Sequence, residues 1–291
     1  MTICAGFKST FGVVLGADSQ ETIGAMKFAA PKLVIMPSVG APEDKVRLMF
    51  AGAGNGAFID KLIDKMWEAA LRGPEMSMQK VFDRVEDANI DWHRKIWEAC
   101  VGGNRPEAEI LVAIYTDHCV NLYRVEGPII SPVDHYAFVG IGGELGTFLA
   151  EQLSSDSTGI EEDIGDAIYI LENVKTYVDA CGGDTQLAAL MLDGSIQQMN
   201  SRDSDTLAKA MVSMSRDIYY LFSLARDLNT RKAEIDRSAR ATTRQIHRIR
   251  AELRKQVRKR VRVSPRLKSS VNVYYQKISW PPTRAPKQTG E

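Results

Sequence analysis

A threonine stands at position 2, directly after Met1, at the head of the stretch MTICAGFKSTFGVVLGAD. A threonine hydroxyl is a weak nucleophile until a base takes its proton. If Met1 is removed, the free α-amine of Thr2 can be that base, with an ordinary pKa of about 7.7–8.0. A small residue at position 2 normally permits methionine excision, so Thr2 is expected to become the first residue. A lysine ammonium nearby would lower the amine pKa by like-charge repulsion. A carboxylate would hold that lysine in place. A backbone N–H beside a glycine would serve the oxyanion of an acyl transfer. The chain supplies these groups in order. Asp18 closes GVVLGAD, Lys32 opens KLVIM, and Gly52 lies in MFAGAG. Lys27 competes with Lys32 for the lysine role. The expected chemistry is hydrolysis of peptide or amide bonds through a Thr2 acyl-enzyme, with no metal and no organic cofactor.

The elements that must position these residues follow from hydrophobic period. GFKSTFGVVLGADSQ reads as two strands, and KLVIMP and KVRLMFAGAG as two more. Phe58, Leu62, Met66 and Ala70 recur every four residues, which predicts a helix over 57–72, stopped by Gly73-Pro74. A second helix is predicted over about 77–100. EILVAIYTD and CVNLYRVEG form a predicted hairpin turning at Asp117-His118, followed by the strand YAFVGIGG. Two helices, about 144–154 and 161–180, precede a hairpin turning at Asp193-Gly194. Helix pairs on two stacked antiparallel sheets would bury all these faces. Beyond Asp205 the sequence predicts a buried helix and then a basic helix to about Arg262. The basic helix carries a thin stripe of Ile246, Ile249, Leu253 and Val257, suited to packing on a partner. A strand-like VNVYYQKISW and a flexible tail complete the chain.

These residues and motifs resemble the proteasome β-subunit and HslV family of N-terminal nucleophile (Ntn) hydrolases, over roughly residues 2–199. GVVLGADSQETIG and FAGAGNGAFIDKL carry most of the resemblance, supported by FVGIGGELGTFLAEQL and CGGDTQLAALMLDG. It implies an α+β fold, a four-layer αββα Ntn-hydrolase sandwich, here with a C-terminal helical basic extension. The implied organisation is a proteasome-type domain over 2–204, a helical, partly basic extension over 205–263, and a strand-like segment with a flexible tail over 264–291. By resemblance, Thr2 is the nucleophile and its amine the base. Asp18 and Lys32 are the activating pair, the Gly52 N–H is an oxyanion donor, and Asp179 in VDACGG is a supporting carboxylate. The family's serine near that carboxylate is Cys181 here. The family's serine-bearing turn reads Gly140-Ile141-Gly142-Gly143, without a hydroxyl. Members of the family assemble, so a homo-oligomer is expected. The altered turn keeps a second reading open, a non-catalytic assembly or scaffold subunit.

Composition narrows the rest. Net charge is zero, but residues 231–268 hold fifteen Lys/Arg against three Asp/Glu, while residues 1–230 hold nineteen against thirty-three. An acidic body carries a basic arm. The arm is a solvated helix, a contact to a neighbouring subunit, or a site for another partner or nucleic acid. It has no aromatics for stacking bases. Four scattered cysteines show neither a disulfide framework nor zinc-ligand spacing. Cys4 and Cys181 read as packing residues, and His93 as an exposed residue among charges. No run approaches the ~18 apolar residues of a membrane span, and no signal peptide is evident, so no membrane partner and a cytoplasmic location are expected.

Overall fold

The computed structural model describes residues 2–23, 26–37, 45–100, 105–117, 119–153, 159–199, 201–227 and 229–260. Met1, His118 and the expected strand-like segment and tail over 264–291 lie outside them.

The described chain is a mixed α/β fold with three sheets and six helices. It opens with strands β1 (Cys4–Ser9), β2 (Gly12–Asp18), β3 (Gln20–Ile23), β4 (Met26–Ala29), β5 (Leu33–Met36) and β6 (Val46–Gly54). Helices α1 (Gly56–Ala70) and α2 (Met78–Ala99) follow, then β7 (Ala108–Thr116), β8 (Cys119–Glu126), β9 (Ile129–Val133) and β10 (Tyr136–Val139). Next come α3 (Gly143–Leu153), α4 (Ile160–Tyr177), β11 (Thr185–Met191), β12 (Ile196–Met199), α5 (Ser201–Arg226) and α6 (Lys232–Arg260). One five-stranded sheet runs β10-β1-β2-β11-β12, another β5-β6-β7-β8-β9, and β3-β4 form a separate hairpin. All pairings are antiparallel.

Strand alternation decides which face meets what. Val13, Leu15 and Ala17 of β2 join Met49 and Ala51 of β6 and Leu111 and Ala113 of β7 in one buried cluster between the two large sheets. The opposite faces turn to helices. Leu48 and Phe50 with Ile110, Val112 and Ile114 pack on Leu62 and Met66 of α1 and Val81 and Val85 of α2. Val14 and Leu187 pack on Ile168 and Leu171 of α4. Helix α1 starts where Asn55 caps it, its side chain accepting from the Phe58 N–H at 3.0 Å. Gly54, at φ +125°, makes the turn into it, where a Cβ would lie 2.3 Å from the Glu107 carbonyl.

Three expectations change. The stripe on α6 does not wait wholly for a partner, because Ile249 is buried in the cluster under α4 and Leu253 packs on it. Helix α5 is buried mainly in its first half, through Leu207, Ala208 and Met211; in its second half Leu224 is buried but Tyr219, Tyr220 and Phe222 are exposed. His93 is buried, edge-on to Phe58 and Trp97, with Nδ1 3.0 Å from the Asn89 carbonyl oxygen. The charges beside it in sequence sit on the other side of α2. Burial lowers its pKa.

Candidate active site

The β1–β2 hairpin sets the site. Its register pairs Cys4 with Ala17, so the next pair outward is Ile3 with Asp18. The Asp18 N–H donates to the Ile3 carbonyl at 3.2 Å, and the Ile3 N–H donates to Asp18 Oδ1 at 3.1 Å. A buried carboxylate is thereby pinned one residue from Thr2. Asp18 is fully buried, and burying an unpaired charge would cost several kcal/mol. The pairing is supplied by Lys32, whose Nζ stands 2.7 Å from Asp18 Oδ1 and also donates to the Gln20 carbonyl. Asp18 Oδ2 accepts from the Gly182 N–H at 2.9 Å. The carboxylate thus has three donors, and one of them is a cation that is itself only 8% exposed.

Thr2 is buried. Its carbonyl accepts from the Gly142 N–H at 3.3 Å. The turn between β10 and α3 lies against it so closely that a Cβ on Gly140 would come 2.4 Å from the Thr2 carbonyl oxygen. Gly140 has φ +87°, which L side chains rarely adopt. Its N–H donates to Glu109 Oε2 at 2.7 Å, while Glu109 Oε1 accepts from Arg124 at 3.1 Å. The turn that lacks a hydroxyl is therefore a backbone brace for the first residues of the chain.

Lys27 and Lys32 go to different places. Lys27 Nζ donates to the Asp179 carbonyl at 3.0 Å, on an exposed strand. Gly52 lies on β6, one residue past the Leu33–Ala51 pair. Its N–H donates to the Lys32 carbonyl at 3.4 Å, a long bond that leaves it available for sharing. A Cβ there would meet Ile59 of α1 at 2.9 Å, so packing also requires the glycine. Asp179 is exposed. Among the described residues no hydrogen bond joins its carboxylate to Thr2, Asp18 or Lys32. The position opposite Asp18 is taken instead by the Gly182 N–H. Cys181 is buried, and a Cβ on Gly142 would sit 3.2 Å from its sulfur. Burial, and then the Asp18 charge, pushes its thiol up to about 11. Cys4 is raised further by burial. Neither is poised as a thiolate.

Sequence reasoning missed Glu109 and Gln186. Gln186 Oε1 accepts from the Lys32 and Leu33 N–H groups at 2.9 and 3.2 Å, and its Nε2 donates to the Ala30 carbonyl at 3.1 Å. The available signal was its phase. Gln186 shares a strand face with Ala188 and Leu190, which are buried between the sheets, so a polar side chain there needs partners.

No protein-family model matches the chain, and no curated protein sequence matches it. Solved structures do. Anbu (ancestral beta-subunit) from Yersinia bercovieri has a TM-score of 0.61 at 12% identity, over 75% of this chain and 97% of that one. An Anbu (Gly-1) mutant from Hyphomicrobium sp. strain MC1 has 0.61 at 12%, over 76% and 97%. The helical assembly of the Anbu complex from Pseudomonas aeruginosa has 0.60 at 14%, over 75% and 95%. At this identity the likeness shows the fold. It corrects the family resemblance drawn from sequence, because these neighbours are Anbu proteins and no sequence match supports the HslV family. The motifs behind that resemblance, the Thr-to-Asp spacing and the glycine-rich strand ends, are demands of the hairpin and turns described above. They mark a shared geometry rather than one family.

Proposed function

We propose that the chain is a proteasome-like N-terminal threonine hydrolase of peptide or other amide bonds, on an αββα layer order, acting within a homo-oligomer. The observation that carries this reading is the buried Asp18–Lys32 pair beside Thr2. A buried ion pair adds little to stability over apolar packing, so its presence next to a potential nucleophile favours a chemical role. After loss of Met1, the Thr2 amine takes the proton from Oγ1, directly or through one water, and Oγ1 attacks the scissile carbonyl carbon. The Lys32 ammonium favours the neutral amine by charge repulsion, and Asp18 fixes that ammonium. The Gly52 N–H shifts from the Lys32 carbonyl to the oxyanion. The amine leaving group takes the proton, and water then hydrolyses the ester by the same steps. Asp179 would contribute only by moving from its exposed position. Residues 2–204 would form the hydrolase domain, and the basic extension would serve contacts to another subunit, another partner or nucleic acid, in the cytoplasm.

The second reading is a non-catalytic assembly subunit. It is favoured by the hydroxyl-free Gly140–Gly143 turn and by the Asp179 carboxylate standing apart. One experiment separates the two. Intact mass first establishes that Met1 is absent. The assembled protein is then treated with a peptide epoxyketone or β-lactone. A single adduct on Thr2, lost in Thr2→Ala, supports the hydrolase; no adduct on the Met1-free assembly supports the scaffold.

A further inference from the structure

Lys32 projects from a poorly supported segment. It follows the exposed strand β4 and Pro31, and it precedes β5, an edge strand of its sheet. Edge strands present unpaired N–H groups, and Pro31 has no N–H to contribute. The segment has few anchors. The Ala30 N–H donates to the Ser19 carbonyl at 2.8 Å, and the Lys32 carbonyl receives the long bond from Gly52. Beside the Lys32 ammonium's own bonds to Asp18 and the Gln20 carbonyl, three further bonds to the segment's backbone among the described residues come from one side chain, Gln186, which stands on β11 in the opposite sheet. Its oxygen faces two N–H donors and its nitrogen faces a carbonyl, so the orientation of the amide is fixed by its partners.

We propose that Gln186 is the positioning residue that sets where the Lys32 ammonium stands, by clasping the backbone of residues 30–33 from across the sheet interface. The consequence for activity rests on the threonine-hydrolase reading; the placement itself does not. A lysine has four side-chain torsions, and an ammonium is a point charge whose effect falls with distance. A swing of the segment by a few ångströms would strip Asp18 of its cation and remove the charge that favours a neutral amine at Thr2. No shorter or apolar side chain at position 186 reproduces the clasp. Asparagine is one methylene short, and methionine fills the space without bonds.

The test uses the full-length, Met1-free protein in wild-type, Gln186→Met and Gln186→Asn forms, with thermal melts to establish that each is folded. Lysine-selective ¹³Cε/¹⁵Nζ NMR reads the placement, with Lys32→Arg assigning the signal. In the wild type, the Lys32 signal is expected to stand apart from the solvent-exposed lysines. In both Gln186 variants it is expected to collapse into that group. The rate of epoxyketone labelling of Thr2 against pH reads the consequence. Its acidic limb should move to higher pH in the variants, with labelling about tenfold slower at pH 7, the size that goes with about one unit in the amine midpoint. An unmoved Lys32 signal in folded Gln186→Met overturns the proposal, as does a wild-type Lys32 signal that does not stand apart. Loss of the fold in both variants overturns it as well, since the amide would then be a determinant of folding. A wild type that never labels removes the hydrolase reading alone, while the NMR comparison still decides the role of Gln186.

Discussion

At the scale of single residues, the two lysines stand in opposite settings. Lys32 is nearly buried against a fully buried Asp18, whereas Lys27 is exposed and holds only a backbone carbonyl. Removing one partner of a buried pair leaves the other uncompensated. Lys32→Ala is therefore expected to lose about 3 kcal/mol of stability and all Thr2 labelling, while Lys27→Ala should change stability by less than about 0.5 kcal/mol. Denaturant melts and inhibitor labelling of the two variants check this, and a damaging Lys27→Ala would reverse the lysine assignment. Thr2→Ala should keep the melt and lose only the adduct. The cysteines test the packing around the same site. Cys181, held up at about 11 and buried, should resist iodoacetamide at pH 8 in the folded protein, while the exposed Cys119 reacts. Labelling of Cys181 without denaturant would show that the wall beside Asp18 opens.

At the scale of elements, much of the fold is legible because its signals are local. The first helix, predicted over 57–72, runs Gly56–Ala70, and the second ends at Ala99 as its pattern required. The predicted hairpin of β7 and β8 is present, Thr116 pairing with Cys119, while His118 of its expected turn lies outside the described residues. The placement of Asp18 beside the first residues is legible from spacing because a tight hairpin fixes it relative to Thr2, whereas spacing left Lys27 and Lys32 both open. What sequence could not yield are contacts between distant segments. Glu109 on β7 bracing Gly140, Gln186 on β11 clasping β5, and the burial of His93 all depend on which faces meet. The brace is testable. Gly140→Ala combines a positive φ with a clash on the Thr2 carbonyl, and is expected to cost about 2 kcal/mol and to slow Thr2 labelling. An equal melt and equal labelling would remove the turn from the account. Helix α4 offers a pH test. Asp166 is half-buried; burial first, then Asp163 and Glu162, raises it from 3.8 to about 6. The folded state then binds more protons than the unfolded state between those values, so the Asp166 carboxyl favours folding at low pH and that contribution is lost as pH rises through about 4 to 6. Asp166→Asn should leave the melt at pH 4 little changed and raise stability at pH 7 by about 1–2 kcal/mol after allowance for solvent screening. A gain confined to pH 4 would reverse the sign.

At the scale of the whole molecule, the question is what the basic arm is for. Helix α6 has 29 residues, about 43 Å of helix. Its inner side joins the core through Ile249 and Leu253, so α6 cannot be deleted without opening the body. Its outer side carries Arg237, Arg240, Arg244 and Arg248, all exposed and spaced three and four apart on one stripe. The rest of the chain is acidic, thirty-three against nineteen over residues 1–230. A stripe of one sign facing bodies of the other steers like copies together head to tail, which closes a ring or propagates a helix. Charge reversal of the four arginines to glutamate tests this without truncation. Light scattering of the full-length protein at micromolar concentration is expected to show an oligomer that loosens as salt rises, and the reversed variant is expected to be smaller at low salt with an unchanged melt. A monomeric wild type would sink the assembly. An oligomer indifferent to both salt and reversal would leave assembly standing and move its contacts to apolar surfaces such as Tyr219, Tyr220 and Phe222, exposed together on α5.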